Sequence, residues 1–190
     1  MNVYDFDGTI YDGDSTLDFY LFCLKKKPCL CLKWPFLGIR YLRFLINGDR
    51  DLFKGYFYGF LKSFHNTEEL ADNFWEDNIR KIKGFYLLQK RDDDLIISAS
   101  PEFLLNPACA RLGIQNLIAS KVDIKTGSLS SANCRGEEKV RRINETFGNI
   151  TIDSFYTDSI SDLPLAKMAR SAFMVKKNSI SRLNITVGEK

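Results

Sequence analysis

The chain has 190 residues, 45% of them hydrophobic, enough to bury a sizeable core as one domain with a subsidiary insertion. Its net charge of only +3 carries no global nucleic-acid signature, so no nucleic-acid partner is expected. Five cysteines (Cys23, Cys29, Cys31, Cys109, Cys134) form no C-x-x-C pair, and the odd count argues against a disulfide framework. An acidic motif stands where a basic, apolar leader would be needed, so a cytoplasmic, reducing setting is the expectation.

Residues 2–6 predict a first buried strand, and VYDFDGTIYDGD (residues 3–14) places Asp5, Asp7, Asp12 and Asp14 at and beyond its end. Asp5 and Asp7 are two apart and lean to the same side of an extended chain. Their mutual repulsion is costly unless a cation or a reaction requires it. From Ser15, read as an N-cap, to about Lys83 the pattern is helical, with breaks at Pro28, Pro35, Asn47-Gly48 and His65-Asn66. Within it, PCLCLKWPFLGIRYLRFLI (residues 28–46) is interrupted too often by Lys33, Pro35, Gly38, Arg40 and Arg43 to span a membrane, and reads as a packed helical hairpin. Cys29 and Cys31 are expected to be small buried hydrophobes. His65, the only histidine, falls at a break between helices and is assigned no role.

Thr67 opens another helix, with Ala71, Trp75, Ile79 and Ile82 on one face. Beyond it the texture changes. Leu95-Ile96-Ile97 is a strand ending in Ser98, and Ser100-Pro101 reads as the N-cap and first turn of a helix that ends near Gly113. Asn116–Ile124 is strand-like and 125–128 a turn. A helix bearing Val140, Ile143 and Phe147 follows, with Lys139 in its first turn. Ile152–Tyr156 is a strand leading to Thr157-Asp158 and Asp162, Leu163–Met168 a helix, and Ala172–Val175 a last strand. Alternating strands and helices predict an α/β fold, a Rossmann-like parallel sheet covered by helices on both faces. The helical block divides it: a core of 1–14 and 84–190, and a helical cap of 15–83 inserted after the first strand.

In such a sheet, ligands bind beyond the carboxyl ends of the strands, where these polar clusters fall. Carboxylates are hard oxygen ligands suited to Mg²⁺, while an ammonium, a hydroxyl and a helix N-terminus suit an anion such as phosphate. Taken singly, each cluster has a plain reading: D-x-D-G-T as a solvated turn, Ser98 as a strand-end cap, Lys139 as a solvated helix residue, Asp158 and Asp162 as helix caps. All four at predicted strand ends are read as one site.

Together the motifs resemble the haloacid dehalogenase superfamily almost end to end. Asp5-Phe6-Asp7-Gly8-Thr9 is similar to its first motif, Leu95-Ile96-Ile97-Ser98 to its second, Lys139 to its third, and Asp158-Ser159-Ile160-Ser161-Asp162 to its fourth. The helical insertion resembles the C1-type cap of the phosphoserine-phosphatase-like branch. The resemblance implies a Mg²⁺-dependent phosphatase acting on a small-molecule phosphate monoester through an aspartyl-phosphate. In it Asp5 is the nucleophile, Asp7 the acid/base, and Thr9, Ser98 and Lys139 hold the phosphoryl group. The metal is held by the Asp5 and Asp158 carboxylates and the Asp7 main-chain carbonyl, with Asp162 as ligand or one step removed. Ser98-Ala99-Ser100 and the glycine-free fourth motif depart from the phosphoserine phosphatases and put phosphoserine in doubt as substrate.

Two other readings use the same residues. A phosphomutase or phosphotransferase differs only in what attacks the aspartyl-phosphate. A phospho-acceptor receiver module places its lysine after the other motifs and lacks so long an insertion. Asp14 is read either as a turn or cap residue ahead of Ser15 or as a contact to a cationic or hydroxyl group of the leaving moiety. Residues 15–64 hold thirteen of the twenty-five aromatics and a local charge of +6. They are read as packed aromatics under a solvated basic face, or as a surface that associates weakly with an anionic membrane, each basic side chain contributing about 1 kcal/mol.

Overall fold

A computed structural model describes residues 1–48 and 50–184, and of Lys33 and residues 50–53 the backbone alone. Strand β1 (Asn2–Tyr4) lies between β2 (Leu95–Pro101) and β6 (Ile152–Thr157), parallel to both, with Val3 opposite Leu95 on one side and Phe155 on the other. Outward from these run β3 (Asn116–Ser120) beside β2, then β7 (Ala169–Lys176) beside β6, both parallel, giving the order β3-β2-β1-β6-β7-β8. The last strand, β8 (Ser179–Arg182), is antiparallel to β7. A small hairpin, β4 (Val122–Asp123) with β5 (Ser128–Leu129), stands apart.

Side-chain alternation divides the core into two halves. Tyr4, Phe6 and Ile96 enter one cluster, whereas Val3, Leu95, Ile97 and Phe155 enter the other. The first half is covered by α1 (Ser15–Lys26), α4 (Thr67–Asn78), α5 (Gly84–Gln89) and α6 (Glu102–Leu112), the second by α7 (Glu137–Phe147) and α8 (Leu163–Ala166). Helix α6 stops where Gly113 takes φ +70° and Ile114 N–H returns to Cys109 O at 2.9 Å, a left-handed C-cap. The expected α/β fold with a mainly parallel sheet is therefore present.

The details differ in instructive ways. The first strand stops at Tyr4 rather than Phe6, because after Asp5 donates to Tyr156 O the chain coils on itself, Ile10 and Tyr11 both donating to Phe6 O. Asp14, not Ser15, caps α1, its carboxylate accepting from Leu17 N–H at 2.9 Å. Pro101 caps α6, which leaves Ser100 in the strand. Pro35 does not break a helix but sits in the first turn of α2 (Trp34–Asn47), where its missing N–H costs nothing. The stretch read as one strand over 116–124 is two, parted at Lys121, and polar β8 was not foreseen.

The segment from Ser15 to Asn78 is, among its described residues, mostly helical: α1, a 3₁₀ segment (Pro28–Lys33), α2, α3 (Arg50–Phe57), a second 3₁₀ segment (Tyr58–Ser63) and α4. Its last helix is tightly joined to the core. Trp75 is fully buried, stacks edge-on with Phe6 and Tyr11, and donates its indole N–H to Leu104 O at 2.6 Å. By contrast, no side chain of α2 is buried, so the packed hairpin expected over 28–46 is not what forms. Cys29 and Cys31 are exposed for the same reason: among the described residues of Pro28–Lys33, only Leu30 is buried. Asp49 and the side chains of Lys33, Arg50, Asp51 and Phe53 lie outside the described residues. Among the described residues, no helix is long and apolar enough to cross a membrane.

Trp75→Ala is expected to cost about 3–5 kcal/mol, since it removes a buried indole and strands the Leu104 carbonyl. Urea unfolding of the two proteins measures it, and a cost below 1 kcal/mol would show that α4 is not joined to the core in this way.

Candidate active site

Because β1, β2 and β6 are parallel, their carboxyl ends open on one edge, and the chain's direction across the sheet reverses beside β1. That reversal leaves a crevice. A cavity of about 830 Å³ opens there, lined by Asp5, Asp7, Ser98, Lys139, Asp158 and Asp162 among others. The sequence-predicted residues thus converge, with one exception: Thr9 is fully buried, its hydroxyl has no hydrogen-bond partner, and it is not part of the lining.

Lys139 is the centre of the arrangement. It is only 2% exposed, and its ammonium donates to Asp5 Oδ1 and Asp162 Oδ2, each at 2.7 Å. Burial alone would lower its pKa, but the charges of Asp5 and Asp162 outweigh this and hold the amine firmly protonated. Asp162 is further fixed by Thr157 Oγ1 at 3.1 Å. Asp5 is raised above the usual carboxylate range, mainly by burial, against the opposing pull of Lys139. Asp158 sits at the exposed mouth and hydrogen-bonds with Asp5; partial desolvation and the nearby Asp162 raise it too.

Asp7 is held differently. One oxygen accepts from Ser15 N–H at 2.6 Å and the other from the Ser100 hydroxyl, which also meets Thr16 Oγ1. Burial, reinforced by the charge of Asp14, pushes Asp7 up to about 6 even though both hydrogen bonds pull downward. The loop between Asp7 and Asp14 closes by Gly8 N–H to Gly13 O at 2.9 Å, and Lys83 reaches in to Gly8 O. Gly8 is required here: it has φ +70°, and an added Cβ would stand 2.1 Å from Asp158 Oδ2. Ser98 lies buried at the cavity wall, its Oγ accepting from Ser100 N–H. Asp14 lines the cavity while capping α1.

Four contributors were not singled out from sequence. Ser100, two residues after Ser98 on one strand, shares its face, and that spacing could have found it. Arg142 lies one helical turn beyond Lys139 and is buried with it. Its guanidinium donates to Ala119 O, Ala132 O, Ser131 Oγ and Glu138, fastening the loop that carries Asn133. Asn133 in turn accepts from Lys54 Nζ at 2.8 Å, and Lys54 also donates to Ala99 O at 2.8 Å. Lys54 thus joins α3 to two edges of the cavity, and no local pattern announces it.

The donor set suits a divalent cation. Two carboxylates, Asp5 and Asp158, meet at the mouth with only one ammonium between the acids, and Asp162 is already committed to Lys139 and Thr157. Among the described residues no three His, Cys, Asp or Glu side chains are grouped to hold a metal alone. Two carboxylates plus a main-chain carbonyl remain compatible with that.

Residues 3–167 match the family described as haloacid dehalogenase-like hydrolase. The chain belongs to this family. It is a hydrolase enzyme of the phosphatase type. A histidinol-phosphatase of Neisseria meningitidis serogroup C is 25% identical over 203 residues, covering 94% of this chain and 91% of that protein. Among solved structures, a protein of unknown function from Bordetella pertussis Tohama I superposes with a TM-score of 0.71 at 22% identity, over 88% of this chain and 85% of the other. A phosphoserine phosphohydrolase-like protein from Francisella tularensis gives 0.54 at 16% identity, over 90% and 86%. At those identities the two structures speak for the haloacid dehalogenase-like fold alone.

Two outcomes follow from this geometry. Gly8→Ala should displace the Asp158 carboxylate and cut turnover by more than about 100-fold. Gly113→Ala, at the same φ but with nothing near its Cβ, should cost only about 1–2 kcal/mol and leave turnover intact. Equal turnover in the two variants would refute the clash. Arg141 and Arg142 hold Glu138 at about 2, so its contribution to stability is full above the ordinary carboxylate range and fades as pH falls toward 2. Glu138→Gln should therefore flatten the loss of stability below pH 4.5, as read by urea unfolding across pH.

Proposed function

We propose that this chain hydrolyses a small-molecule phosphate monoester with Asp5 as nucleophile and Asp7 as acid and base. The observation that carries the reading is the contrast between the two carboxylates. Asp5 lies against a buried ammonium, whereas Asp7 is cradled by one amide and one hydroxyl with its pKa pushed up to about 6. Burial raises both carboxylates, so the difference lies in their partners: the Lys139 ammonium favours the anion of Asp5 for attack, whereas Asp7, held by an amide and a hydroxyl, carries a proton near neutrality.

An Asp5 oxygen forms a bond to phosphorus as the ester P–O bond breaks, and the Asp7 proton goes to the leaving oxygen. Water then attacks phosphorus, Asp7 takes its proton, and the bond from phosphorus to Asp5 breaks to release phosphate. Lys139 and the Ser98 hydroxyl meet the phosphoryl oxygens, with Asp162 positioning Lys139. Mg²⁺ would be held by the Asp5 and Asp158 carboxylates and the Asp7 main-chain carbonyl, and supplies positive charge that lowers repulsion between anionic nucleophile and anionic ester. Asp14, at the side of the cavity nearest α1, is read as meeting an ammonium or hydroxyl of the leaving alcohol. The amino alcohol phosphate named for the Neisseria relative is of that chemistry. The five free cysteines suit a cytoplasmic setting, and the helical segment 15–83 serves as the cap over the site.

Inorganic phosphate release from a panel of phosphate esters with Mg²⁺ present tests this. Asp5→Asn should abolish release while thermal unfolding shows an intact fold. Asp7→Asn should slow release by about 10²–10⁴-fold while an activated aryl ester still gives a burst of its alcohol. Normal release by Asp5→Asn would overturn the nucleophile, and equal loss of burst and release in Asp7→Asn would overturn its role as base.

A further inference from the structure

Helix α2 is an anomaly for a protein in water. Nine of its fourteen residues are large apolar or aromatic side chains, yet none is buried. Leu37, Arg40 and Phe44 are partly covered on its inner side, where Arg40 stacks on Tyr56 and Trp34 donates to Tyr20 OH. The opposite side carries Ile39, Leu42, Leu45 and Ile46, exposed by 56, 60, 59 and 82%. Their spacing of three, three and one puts them on one stripe, flanked by Trp34 and Tyr41. So large a contiguous apolar surface marks an interaction site.

Charge identifies what covers it. From Phe19 to Gly48 the chain contains Lys25, Lys26, Lys27, Lys33, Arg40 and Arg43 and no acidic residue at all. Lys25, Lys26, Lys27 and Arg43 are exposed, and the nearest preceding acid, Asp18, is bound to Lys81 and Tyr11. A second copy of the same face would set Lys25, Lys26, Lys27 and Arg43 against their own copies, whereas an anionic surface would meet each of these four. The helix is too short to cross a bilayer, but an apolar stripe flanked by cations, with Trp and Tyr at its edge, suits the plane of the interface.

We propose that α2 docks this protein on an anionic lipid bilayer, with Ile39, Leu42, Leu45 and Ile46 entering the acyl boundary and the basic residues meeting the headgroups. Phe44, on the inner side of the same helix, lines the catalytic cavity, so docking would bring that cavity within one helix diameter of the membrane. The claim stands apart from the catalytic reading, since its readout is binding.

The test is flotation of the full chain with vesicles of phosphatidylglycerol and phosphatidylcholine or of phosphatidylcholine alone, at low and moderate salt. The bound fraction should be about tenfold or more higher on anionic vesicles and should fall with salt. Trp34 emission should shift to the blue on those vesicles and be quenched by brominated acyl chains, while buried Trp75 is unaffected. Ile39→Glu with Leu42→Glu should lose binding about tenfold with unchanged turnover of soluble esters. Lys25→Glu with Arg43→Glu, which leaves the Lys26 ammonium on the Phe22 ring, should lose only the anionic preference. A protein that stays unbound with both compositions, or variants that float like the parent, would overturn the proposal. So would a dimer that Ile39→Glu with Leu42→Glu separates in a protein that ignores vesicles.

Discussion

One buried ammonium organises the molecule. Lys139 is nearly inaccessible and satisfies carboxylates from two other places in the chain, Asp5 beyond β1 and Asp162 after β6. A charge so placed is stable only while a carboxylate stays beside it, because removing both would leave an uncompensated ion in a dry setting. The first strand, the start of α7 and the turn before α8 are therefore tied to one point, and that point is the floor of the cavity. Arg142 extends the same logic one turn along the helix, spending its donors on the carbonyls of a loop rather than on solvent.

Above this rigid floor the helical segment is of two kinds. Its final helix is bound into the core by Trp75 and by the Arg111–Asp72 pair. In the middle, α2 buries none of its side chains, and the polar contacts described there include Trp34 on Tyr20, Arg40 on Tyr56 and Lys54 on Ala99 and Asn133. Regions with little buried apolar surface open at low free energy. The helix that brings Phe44 to the cavity is thus one that packing fixes least.

Much of this was legible in the sequence, for physical reasons. Apolar runs flanked by turn residues identify parallel strands because such strands are buried on both faces, and the polar residues that end those runs identify the site because parallel strands end together. The errors came where a local pattern has two physical solutions. Asp14 and Ser15 are both good helix caps, and only the demand of Asp7 for the Ser15 amide decides between them. Ser100-Pro101 has the composition of a helix start, but the Ser100 hydroxyl is required by Asp7. Over 28–46, apolar composition alone predicts burial, whereas the neighbouring charges suit an outward face. Lys54 was illegible because its partners lie 45 and 79 residues away. Thr9, drawn into the site by its motif, turns away from the cavity.

Gly8 sets a boundary on how this enzyme can change over generations. Its missing Cβ is the space that Asp158 occupies, so substitutions there are closed to drift and the first loop is inherited as a fixed unit. The same holds for Lys139 and its two partners, which must be exchanged together or not at all. Single replacements are absorbed most easily in α2, none of whose side chains is buried. Divergence is channelled into the outer helix and withheld from the floor of the cavity.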